Sequence, residues 1–426
     1  MTSRLEVRLE RPGGAEIVGR LLDLDRRIYF EYAPAFLSTG LELSPFKLPL
    51  KAGVFGDGVP EFLGLYGLFF DALPDGWGML LMHRKMRERG IDPARISTLQ
   101  MLGHIGNRAM GALSFHPADA SVEYGPITVK LESLANEAKA VFEGSATRVL
   151  PELELAGGSP GGARPKVVVA IGPNDQMVAG GVANDVPQGF DQWLVKFSAR
   201  EDSLDAGPLE ETYAELARAA GIAIPPTRLF RVGKSRVFGV QRFDRVGGKR
   251  VHIHTLSGLL HSNYRLPSLD YLAYLQATRA LTRQQPEVVE AFRRAAFNAL
   301  ACNRDDHARN FAFRMSDDGH WSLAPAYDLT YSEGIGGHHT TSFSGEALKP
   351  TRARLLALAA DQSLPAALVN EQIDRVDAAV GSFAKTARSL DVSAATIARV
   401  SKRLTGIRKD FGPAVKGKSK KTTKSA

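Results

Sequence analysis

The chain has 426 residues, a single cysteine and a formal net charge of +8, a length that suits two to three domains of roughly 100–200 residues each. One cysteine excludes an internal disulfide and fits a reducing compartment. The apolar runs are all shorter than the roughly 18 residues a membrane-spanning helix needs, so no such helix is expected. Five of the eight net positive charges come from lysines of the last segment, "VKGKSKKTTKSA" (Lys416, Lys418, Lys420, Lys421, Lys424). That low-complexity tail, 413–426, is expected to be disordered. The body is therefore only mildly basic, and charge alone makes no case for nucleic acid.

The first residues, "MTSRLEVRLE", are charged and lack an apolar core, so no secretory leader is expected and the chain reads as cytoplasmic. Residues 1–120 read as strands first, in "EVRLE" and "RRIYFEYA". Helices follow over 76–89 and 96–103, and a strand closes the unit over 109–115. A helix over 127–142 leads into "LAGGSPGGARPKVVVAIG", residues 155–172. There the glycines let backbone N–H groups turn toward an anion without a Cβ cost, and Arg164 and Lys166 offer charge-assisted bonds to phosphate. The Walker pattern G-x-x-x-x-G-K-[ST] is absent, and a Gly/Pro linker between domains would read the same way. Ser159 lies within this loop, where a turn hydroxyl is the plain reading.

Lys196 follows on the strand-like "FDQWLVKFS". "PLEETYAELARAAGI" (208–222) has helical spacing ended by Gly221, and places Glu210 or Glu211 where one of them would face Lys196. "TRLFRV" and "RVFGVQRFDR" flank a Gly-Lys-Ser turn and predict a hairpin. From Thr255 onward the pattern is mainly helical, in 268–282, 285–302, 364–390 and 393–411. No internal repeat at a solenoid period is present.

One hairpin interrupts the helices and carries the chemistry. The helix over 288–302 runs into "NRDDHARNFAF", a strand is predicted over 310–315, "DDGH" is a turn, and a strand over 321–326 returns to "PAYDLT". Asp305 is followed five positions later by Asn310 and, eighteen beyond that, by Asp328. Phosphoryl transfer of the protein-kinase type uses this set: one Asp orients the attacking hydroxyl, while an Asn and a second Asp hold magnesium against the phosphates. Magnesium takes one or two carboxylates or amide oxygens and fills the rest of its shell from phosphate and water. The ten histidines show no metal-ligand spacing, and His338 and His339, in a Gly-rich loop, are expected to face solvent. Cys302 is expected to pack as a small apolar residue.

Five motifs in order, "GGSPGGARPK", "WLVKF", "VQRFDR", "NRDDHARN" and "PAYDLT", resemble the HipA family of serine/threonine-protein kinase toxins from type II toxin–antitoxin modules. "GLFFDALPDGWGMLLM" and "IGNRAMGALSF" resemble that family's small N-terminal domain. The resemblance covers roughly the first four hundred residues. It implies an α+β, protein-kinase-like two-lobe fold: an accessory unit over 1–120, a nucleotide-binding lobe over 121–250 and a helical catalytic lobe over 251–412. It implies ATP and Mg2+ as cofactors and Asp305 as the catalytic base, with Asn310 and Asp328 holding metal. The nucleotide would be lined by Gly161, Gly162, Ala163, Arg164, Pro165 and Lys166, by Lys196, by Gln241, Arg242 and Phe243 on the adenine side, and by His307, Arg309, Asn310, Tyr327 and Asp328. Ser159 matches the serine such kinases phosphorylate on themselves. Where some members carry an acid at the hinge, this chain has Gln241. The implied partners are a small helix-turn-helix antitoxin dimer, through which operator DNA is reached, and a protein substrate of the aminoacyl-tRNA synthetase class. A small-molecule kinase on the same general fold and an inactive corepressor remain as alternatives.

Overall fold

The computed structural model describes residues 4–119, 127–146, 148–157, 162–179, 186–198 and 203–412. Ser159, Gly161 and the lysine-rich tail lie outside the described residues.

The N-terminal strands β1 (Arg4–Arg11), β2 (Gly14–Leu24), β3 (Arg27–Tyr32), β4 (Val54–Phe55) and β5 (Leu113–His116) form one antiparallel sheet in the order β4-β3-β2-β1-β5. Alternation sets its faces: Leu5, Val7 and Leu9 of β1 point inward, while Arg4, Glu6 and Arg8 are exposed or half-buried. The helices Gly76–Glu88 and Thr98–Ile105 follow, the second closed by a capping box between Ser97 and Gln100.

The second sheet has the order β10-β11-β9-β7-β8-β6, all antiparallel: β6 (Ile127–Thr128), β7 (Lys166–Ile171), β8 (Met177–Ala179), β9 (Asp191–Lys196), β10 (Thr227–Val232) and β11 (Ser235–Gln241). Every residue of β7 is buried, which accounts for its unbroken Val run, because a strand covered on both faces has no polar side to alternate with. Trp77 and Leu81 of the helix Gly76–Glu88 enter the core of this second sheet together with Leu153, Val167 and Val169. The N-terminal unit thus supplies part of the next lobe's interior.

A polar joint fixes the same two bodies. Asp244 is 1% exposed and accepts from Arg242, from Arg245 and from the Gly111 amide at 2.7 Å. Arg250 donates to the carbonyls of Asn107, Ala109, Gly111 and Leu113.

The C-terminal lobe is built around the helix Gln285–Leu300, whose Val288, Ala291, Phe292, Ala295, Ala296 and Phe297 are fully buried. The helices Tyr271–Thr282, Ala366–Gly381 and Ala394–Phe411 pack on it. Small alanines on several sides allow close approach from more than one direction.

The elements depart from the sequence reading at a few places. The helix expected over 127–142 begins only at Leu131, because Ile127 and Thr128 pair with β8 as an edge strand. The helical run 364–390 breaks at Ser382 into Ala366–Gly381 and Phe383–Ser389. The strands of the hairpin are Ala312–Met315 and Trp321–Leu323, each shorter than expected, because Ala308–Asn310 is a 3-10 turn and Ala326 turns away to donate to the Ala223 carbonyl. His252–Thr255 adds a third strand to that hairpin. Its sequence "HIHT" carries too few apolar residues to stand out.

Candidate active site

The helix Gln285–Leu300 ends at Ala301, and Cys302 takes a left-handed conformation at φ 53°. This reverses the chain into the loop that bears Asp305. Cys302 is fully buried, as expected of a small apolar side chain, and burial pushes its thiol up. Backbone bonds between Cys302, Arg304 and Ser332 lash the loop to the segment after Asp328. Asp306 points inward at 1% exposure. It accepts from the Tyr271 hydroxyl, His339 Nδ1 and the Thr340 amide, each at 2.8 Å. His339 is therefore a buried brace of the loop, where solvent exposure had been expected. His338 does face solvent. With Asp306 anchored inside, its neighbour Asp305 is turned out, and the Asp305 side chain is 63% exposed. Among the described residues no cluster of three or more His, Cys, Asp or Glu is placed to hold a metal.

Asn310 Nδ2 donates to the Asp305 carbonyl at 2.8 Å, so the two ends of the D-x-x-x-x-N spacing meet. That bond commits the amide nitrogen and leaves Asn310 Oδ1 without a hydrogen-bond partner among the described residues. His307 Nε2 stands 3.8 Å from Asp305 Oδ1, too far for a hydrogen bond.

Asp328 sits in a left-handed conformation at φ 53° and bonds through Oδ1 to the Lys196 ammonium. The same ammonium bonds Glu210 on the helix Ala206–Ala219. Of the two acids the sequence offered, Glu210 faces Lys196. Glu211 instead accepts from the Thr227 hydroxyl and pairs with Arg218. Burial alone would raise the Asp328 carboxyl, but the ammonium groups of Lys196 and then Lys166 outweigh it and hold it well below the usual carboxylate range. Burial would likewise lower Lys196, and Asp328 and Glu210 reverse that and raise it. Glu210 is raised, burial outweighing Lys196. Lys166, buried at the start of β7, is lowered by burial and by Lys196 despite Asp328.

The Gly-rich segment approaches from β7. Gly162 has φ +93°, a conformation that favours glycine, and a Cβ there would stand 2.2 Å from Lys166 Nζ and push that ammonium aside. Ala163 and Arg164 are exposed, while Pro165 is buried and its carbonyl accepts the Phe197 amide at 2.9 Å. At the residues expected to flank adenine, the amides of Gln241 and Arg242 are spent on the carbonyls of Pro226 and Gln192. The Arg242 guanidinium is buried on Asp244 and Gln192. Phe243 stacks on Tyr327 at 5.7 Å and 30°, which brings the hinge beside the Asp328 segment. The Tyr327 hydroxyl donates to the Arg309 carbonyl at 2.6 Å. The Arg309 side chain is turned toward the N-terminal unit, onto Asp75 at 2.9 Å and the Leu73 carbonyl at 2.8 Å.

The side chains fit a divalent ion with a polyphosphate. Asn310 Oδ1 and the second Asp328 oxygen carry no hydrogen bond among the described residues, and hard oxygen donors are what such an ion selects. Lys166 and Lys196 supply the cationic wall an anion needs.

Family models match two segments. The HipA N-terminal domain matches residues 12–116 and the HipA-like C-terminal domain matches residues 158–383. The chain belongs to the HipA family. Among solved structures it resembles the HipA of Shewanella oneidensis MR-1, seen with HipB and its operator DNA, at 18% identity over 96% of each chain with a TM-score of 0.69. It is more distantly similar to the Helicobacter pylori proinflammatory kinase CtkA, at 12% identity over 52% of this chain and 85% of that one, with a TM-score of 0.38. No curated protein matches the sequence. The first likeness extends the HipA fold over nearly the whole chain, with its mixed sheets and helices. No helix among the described residues is long and apolar enough to cross a membrane.

Motif reading missed Asp75 and Tyr264, which hold Arg309. Asp75 stands before a helix and reads there as an ordinary N-cap.

Proposed function

We propose that this HipA-family chain is an ATP-dependent serine/threonine-protein kinase that acts as the toxin of a toxin–antitoxin pair. The observation that carries the reading is the convergence of Lys196, Glu210 and Asp328 in one ion-pair group, whose Asp328 segment is tied by the Tyr327–Arg309 bond to the loop in which Asn310 bonds the Asp305 carbonyl. These are the parts of a phosphoryl-transfer site.

In this reading Asn310 and Asp328 hold Mg2+, which when bound neutralises phosphate charge. Lys166 and Lys196 bind the phosphates, with Gly162 to Pro165 and Gly161 along them. Gln241, Phe243 and Tyr327 flank the base, and His307 closes the side toward Asp305. Asp305, open to solvent, orients the acceptor hydroxyl and takes its proton as the hydroxyl oxygen bonds to the γ-phosphorus and the bond to the β-phosphate oxygen breaks, leaving ADP. A carboxylate this exposed suits an acceptor presented by a large partner. The acceptor side chains are a serine of a protein such as an aminoacyl-tRNA synthetase and, within the chain, Ser159. A phosphate on Ser159, which belongs to the same Gly-rich sequence as Gly162, adds about two negative charges, and in this reading would oppose binding of an anion such as ATP. The partner is a HipB-like antitoxin dimer, through which operator DNA is reached; the Shewanella structure with HipB and operator DNA supports this by analogy. Accessory, nucleotide-binding and catalytic roles fall to residues 1–120, 121–250 and 251–412.

The test is γ-labelled ATP with purified protein and a bacterial lysate. Wild type should label itself and a discrete protein, and Asp305→Gln should label neither. Equal labelling by the variant would remove Asp305 as the base, and a labelled sugar or antibiotic in place of protein would move the substrate class.

A further inference from the structure

Asp75 occupies the N-cap position of the helix Gly76–Glu88 yet makes no cap bond to that helix, although a short acid at this position ordinarily turns back to cap its own N–H groups. Its carboxylate is spent across two other bodies. One oxygen accepts the backbone N–H of Gly162 in the Gly-rich segment. The other accepts Arg309 at 2.9 Å and the Tyr264 hydroxyl at 2.9 Å. Arg309 adjoins Asn310, and its carbonyl is held by Tyr327, next to Asp328. Arg309 also lies over the rings of Phe70 and Tyr264, at 5.5 and 5.2 Å from their centres.

The neighbouring residues complete the grip. The Trp77 amide donates to the Gly162 carbonyl at 2.9 Å, and the Trp77 indole N–H donates to the Lys166 carbonyl at 2.8 Å. A Cβ on Gly76 would stand 2.6 Å from the Gly162 carbonyl oxygen, so only glycine lets the two backbones meet. Both backbone groups of Gly162 are therefore taken by Asp75 and Trp77.

We infer that Asp75 is a positioning residue through which the N-terminal unit sets the distance between the phosphate-facing Gly162–Lys166 segment and the Asn310–Asp328 metal side. The inference rests on reading the cleft as an ATP site. A carboxylate has no favourable contact to make with a polyphosphate, so any effect of Asp75 on nucleotide binding is indirect. The geometry gives that effect a route in two steps: Asp75 to Gly162 on one side, and Asp75 to Arg309 and Asn310 on the other. It also gives the N-terminal unit a means of control, because displacing one carboxylate loosens the Gly162 amide and the Arg309 guanidinium together.

The experiment measures the affinity of a non-hydrolysable ATP analogue with Mg2+ by calorimetry for wild type, Asp75→Asn and Tyr264→Phe. The nucleotide-free melting temperature and the hydrogen-exchange rate of the Gly162 amide are measured alongside. Asp75→Asn should weaken the analogue about tenfold, the worth of one charge-assisted hydrogen bond, and speed exchange at Gly162. Tyr264→Phe keeps the Arg309 pair and should weaken the analogue by about two- to fivefold, with its nucleotide-free melting temperature near that of wild type. Analogue affinity within twofold of wild type in Asp75→Asn, or in Tyr264→Phe if the first variant does not fold, would overturn the inference while leaving the kinase reading intact. Wild type that binds no nucleotide in the presence of Mg2+ would overturn both.

Discussion

The joint at Asp244 gives the most quantitative expectation. Asp244 is 1% exposed and is surrounded by Arg242, Arg245 and Arg250, themselves 4–7% exposed. It accepts from Arg242 at 2.9 and 2.7 Å, from Arg245 at 2.8 Å and from the Gly111 amide at 2.7 Å. Asp244→Asn keeps the shape and removes the only carboxylate that Arg242 and Arg245 bond to among the described residues. Breaking a buried pair this way leaves uncompensated charge and costs about 3–5 kcal/mol, on the order of 10 °C in melting temperature for a domain of roughly 150–250 residues. Burial would raise the Asp244 carboxyl, but Arg242 and Arg245 outweigh it and hold it well below the usual carboxylate range. Its stabilising contribution is therefore fully present above the unfolded pKa of roughly 4 and is lost as pH falls through the depressed folded value. Scanning calorimetry of the two proteins should show a constant gap from pH 8 to about 5 that narrows only below about pH 4. A gap under about 1 kcal/mol at neutral pH would refute the view that this joint fastens the N-terminal unit to the lobe of the second sheet.

Other perturbations act nearer the cleft. Lys196→Met leaves Glu210 and Asp328 facing each other without their shared ammonium, and should weaken an ATP analogue by about tenfold or more, read by calorimetry. Gly162→Ala places a side chain at φ +93° and 2.2 Å from Lys166 Nζ. Strain of about 1–3 kcal/mol should displace the segment and weaken analogue binding by roughly 5- to 100-fold, while the circular dichroism spectrum is retained. Asp306→Asn weakens the bonds from Tyr271, His339 and Thr340. Because Asp306 braces the loop from within, phosphotransfer should fall at least tenfold with analogue affinity little changed, as measured by labelling and by calorimetry.

How far the sequence carried the reading depended on the range of each interaction. The long helices were legible because an apolar stripe is a local signal, as in Gln285–Leu300. The D-x-x-x-x-N spacing was legible because its ends meet within one loop, Asn310 on the Asp305 carbonyl. The choice between Glu210 and Glu211 was not, since both lie in the same turn and only the approach of β9 selects one. His339 departs from the expectation because a Gly-rich neighbourhood suggests solvent, whereas Asp306 draws the ring into the interior. Asp75 was invisible for the same reason: its partners Gly162 and Arg309 lie 87 and 234 residues away in sequence, and nothing local marks an N-cap acid that caps something else. Strand Ile127–Thr128 is not legible in the sequence because two residues cannot display a period of two, and its pairing with β8 is a tertiary fact.

In the proposed mechanism Asn310 and Asp328 hold one divalent ion against a nucleotide polyphosphate. Calorimetric titration of a non-hydrolysable ATP analogue, with Mg2+ and with chelator, into wild type, Asn310→Ala and Asp328→Asn tests it most directly. Wild type should bind far more tightly with Mg2+ than without, and both variants should lose that difference. Variants that keep the full Mg2+ dependence of wild type would contradict it.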